Sequence, residues 1–110
     1  MANNIPLIVF PVTDLNKAKV FFNTFLDTAP YAESPYYVGY KTTDCEVGLD
    51  PHGTTVVTYI DVDDIEASLQ SFQDAGAELV FGSKDVGGGL LVAQISIQGN
   101  VLGLRQQAKK

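Results

Sequence analysis

Two periods of hydrophobic and polar residues alternate along the chain. Across residues 5–11, Ile8 and Phe10 fall on one side and Leu7 and Val9 on the other, with prolines near both ends, and this period of two predicts a strand. Thr13 or Asp14 then offers an N-cap. Leu15, Ala18, Phe22 and Phe25 follow at helical spacing, with Lys17, Lys19 and Asn23 elsewhere, which predicts an amphipathic helix of about three turns. Pro30 and Pro35 punctuate a short extended piece, and strands are predicted at about residues 36–42 and 45–49. The periods then recur. A strand is predicted at 55–61 and a helix at 64–75, with Ile65, Leu69 and Phe72 on one face and Gly76 as its stop. Strands at about 78–81, 90–97 and 101–106 close the chain.

The recurrence extends to the residues themselves. Val12-Thr13-Asp14-Leu15 returns 50 positions later as Val62-Asp63-Asp64-Ile65, and Phe22 returns as Phe72. Val47-Gly48-Leu49-Asp50 returns 55 positions later as Leu102-Gly103-Leu104-Arg105, so the second copy carries about five extra residues, assigned to the neighbourhood of Gly87-Gly88-Gly89. Asp50-Pro51-His52-Gly53 is turn chemistry and marks the hinge between copies. The expectation is one domain over residues 1–110 built from two modules, at about 5–50 and 54–108, in an α+β arrangement of two packed layers.

Strand parity separates two faces. Ile8, Phe10, Val47, Leu49, Thr58, Ile60, Leu102 and Leu104 form a largely bulky apolar set suited to lie beneath helices. The opposite set holds Leu7, Val9, Glu46, Gly48, Val57, Tyr59, Asp61, Val101, Gly103 and Arg105. Small residues beside a few polar ones leave room for a ligand there; the competing reading is that the glycines only mark bulges or close strand approach.

Composition narrows the chemistry. Hydrophobic residues are 45% and charged residues 18% of the chain, the balance of an ordered globular protein. One Cys and one His, Cys45 and His52, exclude an internal disulfide and the usual structural zinc clusters. Thirteen acidic against seven basic residues give a net charge of −6 with no basic stripe, so nucleic acid is not an expected partner and cationic ligands are favoured over phosphates. No apolar run approaches the ~20 residues needed to span a bilayer, and the first residues lack the pattern of a secretory signal, so no membrane partner is expected and the cytoplasm is the expected location. The acidic run Asp61, Asp63, Asp64 reads as helix capping, His52 as a solvated turn residue, and the triple glycine as a flexible hairpin.

Four stretches together resemble the vicinal oxygen chelate superfamily of glyoxalases, bleomycin-resistance proteins and extradiol dioxygenases. They are Pro11 to Leu15 with Ala18, Phe21, Phe22 and Leu26; Gly48 to Gly53; Val62 to Ile65 with Gly76-Ala77; and Gly99-Asn100-Val101 with Gly103-Leu104. The resemblance implies paired βαβββ modules forming a cup-shaped mixed sheet, with helices on its outer face and ligand inside. It also implies that metal-dependent members place their ligands at the positions held here by Leu7, Gly48, Val57 and Gly103. None of these four side chains has a donor for a metal.

The leading expectation is therefore a non-catalytic, metal-independent and cofactor-free small-molecule binder of the bleomycin-resistance type, taking an apolar or cationic aromatic ligand. Its candidate ligand-binding residues are Tyr59, Tyr37, Tyr40 and Phe81 for stacking, Glu46 and Asp61 for counter-charge, and Arg105 on the same face. The alternatives are a lyase or dioxygenase with non-standard metal ligands, and a structural or regulatory module. Open sheet edges, and the habit of the family, lead us to expect a homodimer.

Overall fold

The structure, a computed structural model, describes residues 2–108. The chain divides into two compact units: residues 6–56, and residues 57–108 together with 2–5. We call them modules one and two. Module one runs β1 (Leu7–Pro11), α1 (Leu15–Phe25), β2 (Ala32–Ser34), β3 (Tyr37–Lys41) and β4 (Glu46–Asp50). Its strands lie in the order β2-β3-β4-β1, antiparallel except for the parallel β1–β4 pair. Module two repeats this with β5 (Val57–Asp61), α2 (Ile65–Asp74), β6 (Glu78–Asp85), β7 (Leu91–Ile97) and β8 (Asn100–Gln106), ordered β6-β7-β8-β5 with β5 and β8 parallel. The fold class is α+β, two βαβββ modules, as the repeat implies.

The same local chemistry starts both helices. Asp14 Oδ1 accepts the amide hydrogen of Lys17 at 3.0 Å, and Asp64 Oδ1 accepts that of Ala67 at 3.1 Å, each cap residue holding an extended backbone. Each such cap stabilises its helix by about 1 kcal/mol. Both helices also stop alike. The amide of Thr28 bonds the carbonyl of Asn23 and that of Asp27 bonds Thr24, while Ala77 bonds Phe72 and Gly76 bonds Gln73. This paired termination needs a left-handed residue, supplied by Asp27 (φ 53°) in module one and Gly76 (φ 116°) in module two. Gly76→Ala is expected to lower stability by about 1–2 kcal/mol, because a Cβ is strained at that φ, and a urea denaturation midpoint reads the loss directly.

The extra residues of module two lengthen one hairpin. Where β2 has three residues and β3 five, β6 has eight and β7 seven, with register shifts in β6 between Leu79 and Phe81 and between Phe81 and Lys84. The connecting turn carries Gly87, Gly88 and Gly89, all at positive φ, and is closed by the Val86 amide on the Leu90 carbonyl. Strand β6 was expected to end near residue 81. It runs on to Asp85 because the longer β7 supplies partners that a reading of hydrophobic runs does not show.

Each helix covers one face of its own four strands. In module one Val38, Tyr40, Val47 and Leu49 are buried against Leu15, Ala18, Phe22 and Leu26, with Phe10 and Val12. In module two Ile65, Leu69, Ala93, Ile95 and Leu104 form the corresponding core, flanked by Phe72 and Leu91. Burying side chains of this size stabilises by roughly 1.5–3 kcal/mol each, so these two clusters hold the fold and leave the opposite strand faces for other uses. Among the described residues no helix is long and apolar enough to cross a membrane.

Candidate ligand-binding faces

On module one, the face away from α1 is set by the register Val9↔Gly48↔Gly39 and Leu7↔Glu46↔Lys41. Tyr37 lies across it. A Cβ placed on Gly48 would sit 2.6 Å from Tyr37 Cζ, and one on Gly39 would sit 3.2 Å from Tyr37 Cε2 and 3.3 Å from Tyr31 Cε1. The two glycines therefore form a floor on which tyrosine rings rest. The Tyr31 hydroxyl donates to Glu46 Oε1, and the Lys41 ammonium stands 4.6 Å from the centre of the Tyr31 ring. Glu46 thus holds the hydroxyl of Tyr31 and is the cross-strand partner of Lys41.

Module two builds a related row from different residues. Tyr59, Gly103, Gln94 and Phe81 are neighbours in register across β5, β8, β7 and β6. A Cβ on Gly103 would sit 2.7 Å from Tyr59 Cζ, so the Tyr59 ring lies over Gly103 as Tyr37 lies over Gly48. Gln94 Nε2 donates to the Tyr59 hydroxyl at 3.1 Å, fixing the direction of the ring. Phe81 carries the Lys84 ammonium 4.4 Å from its centroid. One step along the strands, Arg105 makes a two-pronged bond to Asp61, Nε to Oδ1 at 2.9 Å and Nη2 to Oδ2 at 3.3 Å. The arginine side chain is 13% exposed and the aspartate side chain 46%.

Two expectations change here. Tyr40 was expected to stack on a ligand; instead it is fully buried beneath α1, its hydroxyl 2.7 Å from the acceptor Asn23 Oδ1 and 3.2 Å from the Lys19 carbonyl. Tyr40 and Tyr37 are three residues apart in one strand, so alternation forbids both from facing the same side. Burial pushes the Tyr40 phenol to a higher pKa, an effect the nearby Lys19 ammonium partly opposes. Asp61 was expected as a counter-charge for a ligand and Arg105 as a ligand-binding residue on the same face. They are spent largely on each other, so Asp61 offers little uncompensated charge.

Tyr31, Lys41 and Gln94 were not anticipated. Gln94 alone had a signal in the sequence, as a single amide inside the apolar run of β7. Tyr31 and Lys41 join the site only through cross-strand register. His52 is exposed in its turn, its amide bonded to Asp50 Oδ1 at 2.8 Å and its ring stacked 6.3 Å from that of Tyr36.

The four positions at which the superfamily resemblance implies metal ligands do not fit a metal. Leu7 and Val57 are buried aliphatic side chains, and the space over Gly48 and Gly103 is taken by Tyr37 and Tyr59. Among the described residues no group of three His, Cys, Asp or Glu side chains is close enough to hold an ion.

The modules just described are those of the glyoxalase/bleomycin resistance protein/dioxygenase fold. A superfamily member of that description from Vibrio splendidus 12B01 superposes with a TM-score of 0.73 at 21% identity, over 92% of this chain and 97% of that one. Methylmalonyl-CoA epimerase from Mycobacterium tuberculosis matches with a TM-score of 0.73 at 14% identity, over 99% and 93%. A hypothetical protein from Bacillus halodurans C-125 reaches a TM-score of 0.81 at 13% identity, over 100% and 98%. These likenesses concern the fold. No protein-family model matches the sequence, and no curated protein does.

Proposed function

We propose that this chain is a metal-independent small-molecule binding protein of the glyoxalase/bleomycin-resistance type, which takes an apolar or cationic aromatic ligand against its tyrosine-bearing strand faces. The observation that carries the reading is the tyrosine-over-glycine pair in each module. It replaces donor atoms with a flat, oriented aromatic surface, and rings so placed recognise other rings and cations. Tyr59, steadied by Gln94, is the principal stacking group, and Phe81 lies in the same cross-strand row on the far side of Gln94. In module one Tyr37 and Tyr31 offer the stacking surface, and Glu46 the carboxylate for a cationic ligand. The net charge of −6 adds a long-range bias in the same direction.

The chain has no Trp and five Tyr, so its intrinsic fluorescence comes from tyrosine and reports stacking without a label. Titration with acridine orange, a planar cation, followed by calorimetry is expected to show saturable binding with quenching. Tyr59→Ala is expected to weaken that binding by roughly 10- to 100-fold while the protein stays folded. Retention of a stoichiometric divalent metal after dialysis against chelator would overturn the metal-free reading. Failure of a panel of cationic and neutral aromatic compounds to bind would leave the strand faces as structural surface.

A further inference from the structure

On module one a cleft of about 550 Å³ opens between the flank of α1 and the edge strand β2. Antiparallel pairing sets Glu33 opposite Val38, so both side chains stand on the side of the sheet that α1 covers, away from Tyr37. Leu15, Asn16 and Lys19, at positions i, i+1 and i+4 of the helix, form the facing wall. Val38, 2% exposed, is the apolar floor. One ion pair ties the two walls together, Lys19 Nζ to Glu33 Oε1 at 2.8 Å, with side chains 34% and 53% exposed. Glu33 holds the Lys19 ammonium above its ordinary pKa, first through the hydrogen bond and then through its charge.

The internal repeat shows that the fold does not need this pair. At the offset of 50 residues Lys19 corresponds to Leu69, which is 5% exposed and packs in the core of module two beside Ile65. Module one thus places a charge where its copy places an apolar side chain. An ion pair so open to water adds little stability, so packing does not account for it. We propose that the cleft binds a free α-amino acid with an apolar side chain, its carboxylate on Lys19, its ammonium group on Glu33 and its side chain over Val38 and Leu15. Three features select this class. The pair presents both signs of charge 2.8 Å apart, which suits a zwitterion whose charged groups share one carbon; the termini of a dipeptide are separated by a further residue of chain. The ammonium has three donors and the carboxylate about four acceptor sites, so each keeps capacity after bonding the other. The floor is apolar, and the volume lies within the range of small-molecule sites. The cleft is on the opposite side of the sheet from Tyr37, so the inference is independent of the aromatic-ligand reading.

Calorimetric titration with L-leucine tests it, and saturable binding is expected with a dissociation constant of about 0.1–1 mM. Leucinamide, which lacks the carboxylate, and 4-methylpentanoate, which lacks the ammonium group, are each expected to bind at least about tenfold more weakly. Lys19→Leu, which copies module two, should abolish leucine binding while the urea midpoint stays the same or rises. Glu33→Gln, a change on an exposed edge strand, should weaken binding at least about tenfold and decides the matter if Lys19→Leu folds poorly. In two-dimensional NMR the amide signals of Asn16, Lys19, Glu33 and Val38 should move with leucine, and those of Gly48 and Gly103 should not. Absence of saturable binding by leucine, valine, methionine and phenylalanine up to about 10 mM overturns the proposal. So does an analogue lacking one charge that binds as tightly as leucine, or a folded Lys19→Leu or Glu33→Gln chain that binds as the wild type does. Shifts confined to Gly48 and Gly103 overturn it as well, and assign leucine to the tyrosine-bearing faces instead.

Discussion

Tyr40→Ala is expected to destabilise the protein by about 3–5 kcal/mol, the cost of deleting a fully buried aromatic ring, with little change in probe affinity for the molecules that remain folded. The ring fills the space between β3 and α1, in contact with Phe22 at a centroid distance of 6.5 Å. Its removal leaves a cavity whose walls belong to both elements, and α1 loses part of what holds it to the sheet. Tyr40→Phe isolates the hydroxyl and should cost about 1 kcal/mol, the net worth of the bond to Asn23. The pH dependence follows from the raised phenol pKa. A group whose folded pKa lies above its unfolded value of 10.0 contributes stability that is present below that pH and lost as pH rises through the folded pKa. The gap between wild type and Tyr40→Phe should therefore narrow above pH 10 in urea titrations. A Tyr40→Ala variant that kept its stability but lost probe binding would return Tyr40 to the ligand.

That distinction between Tyr37 and Tyr40 shows how far the sequence carries the site. The repeat at offsets of 50 and 55 residues is a property of the sequence, and the two-module fold, both Asp N-caps and the Gly76 stop follow from it. Parity along β1, β4, β5 and β8 separates the helix side from the opposite face, because those strands carry long apolar alternations. Strand β3 does not. Tyr37, Val38, Gly39 and Tyr40 give two aromatics and two small or aliphatic residues, and only the packing of Val38 and Tyr40 under α1 fixes the phase. Cross-strand partnerships are harder still. Asp61 meets Arg105 because β5 and β8 are parallel at that register, and Tyr31 meets Glu46 across a separation of 15 residues. Neither pair has a spacing that could be read in advance. The glycines mislead in a further way: a missing side chain suggests room, yet the room over Gly48 and Gly103 is what lets the tyrosines lie flat.

Filling that room gives the second large effect. Gly103→Ala is expected to destabilise by about 2–4 kcal/mol and to weaken probe binding roughly tenfold, although Gly103 itself offers nothing to a ligand. The new Cβ would overlap the Tyr59 ring, which has to swing away and give up its hydrogen bond from Gln94. Gly103 is buried in β8 between β5 and β7, so backbone movement is the costlier way to relieve the overlap. The prediction becomes specific in combination. If the damage is the collision, Tyr59→Ala made in the Gly103→Ala background should cost less than it does in the wild type, with a coupling of about 1–3 kcal/mol between the two positions. Additive losses would mean that the Tyr59 ring is not what the alanine meets. A neutral Gly103→Ala would mean that the ring is mobile enough to move aside, and the oriented stacking surface on which ligand binding is argued would then not exist.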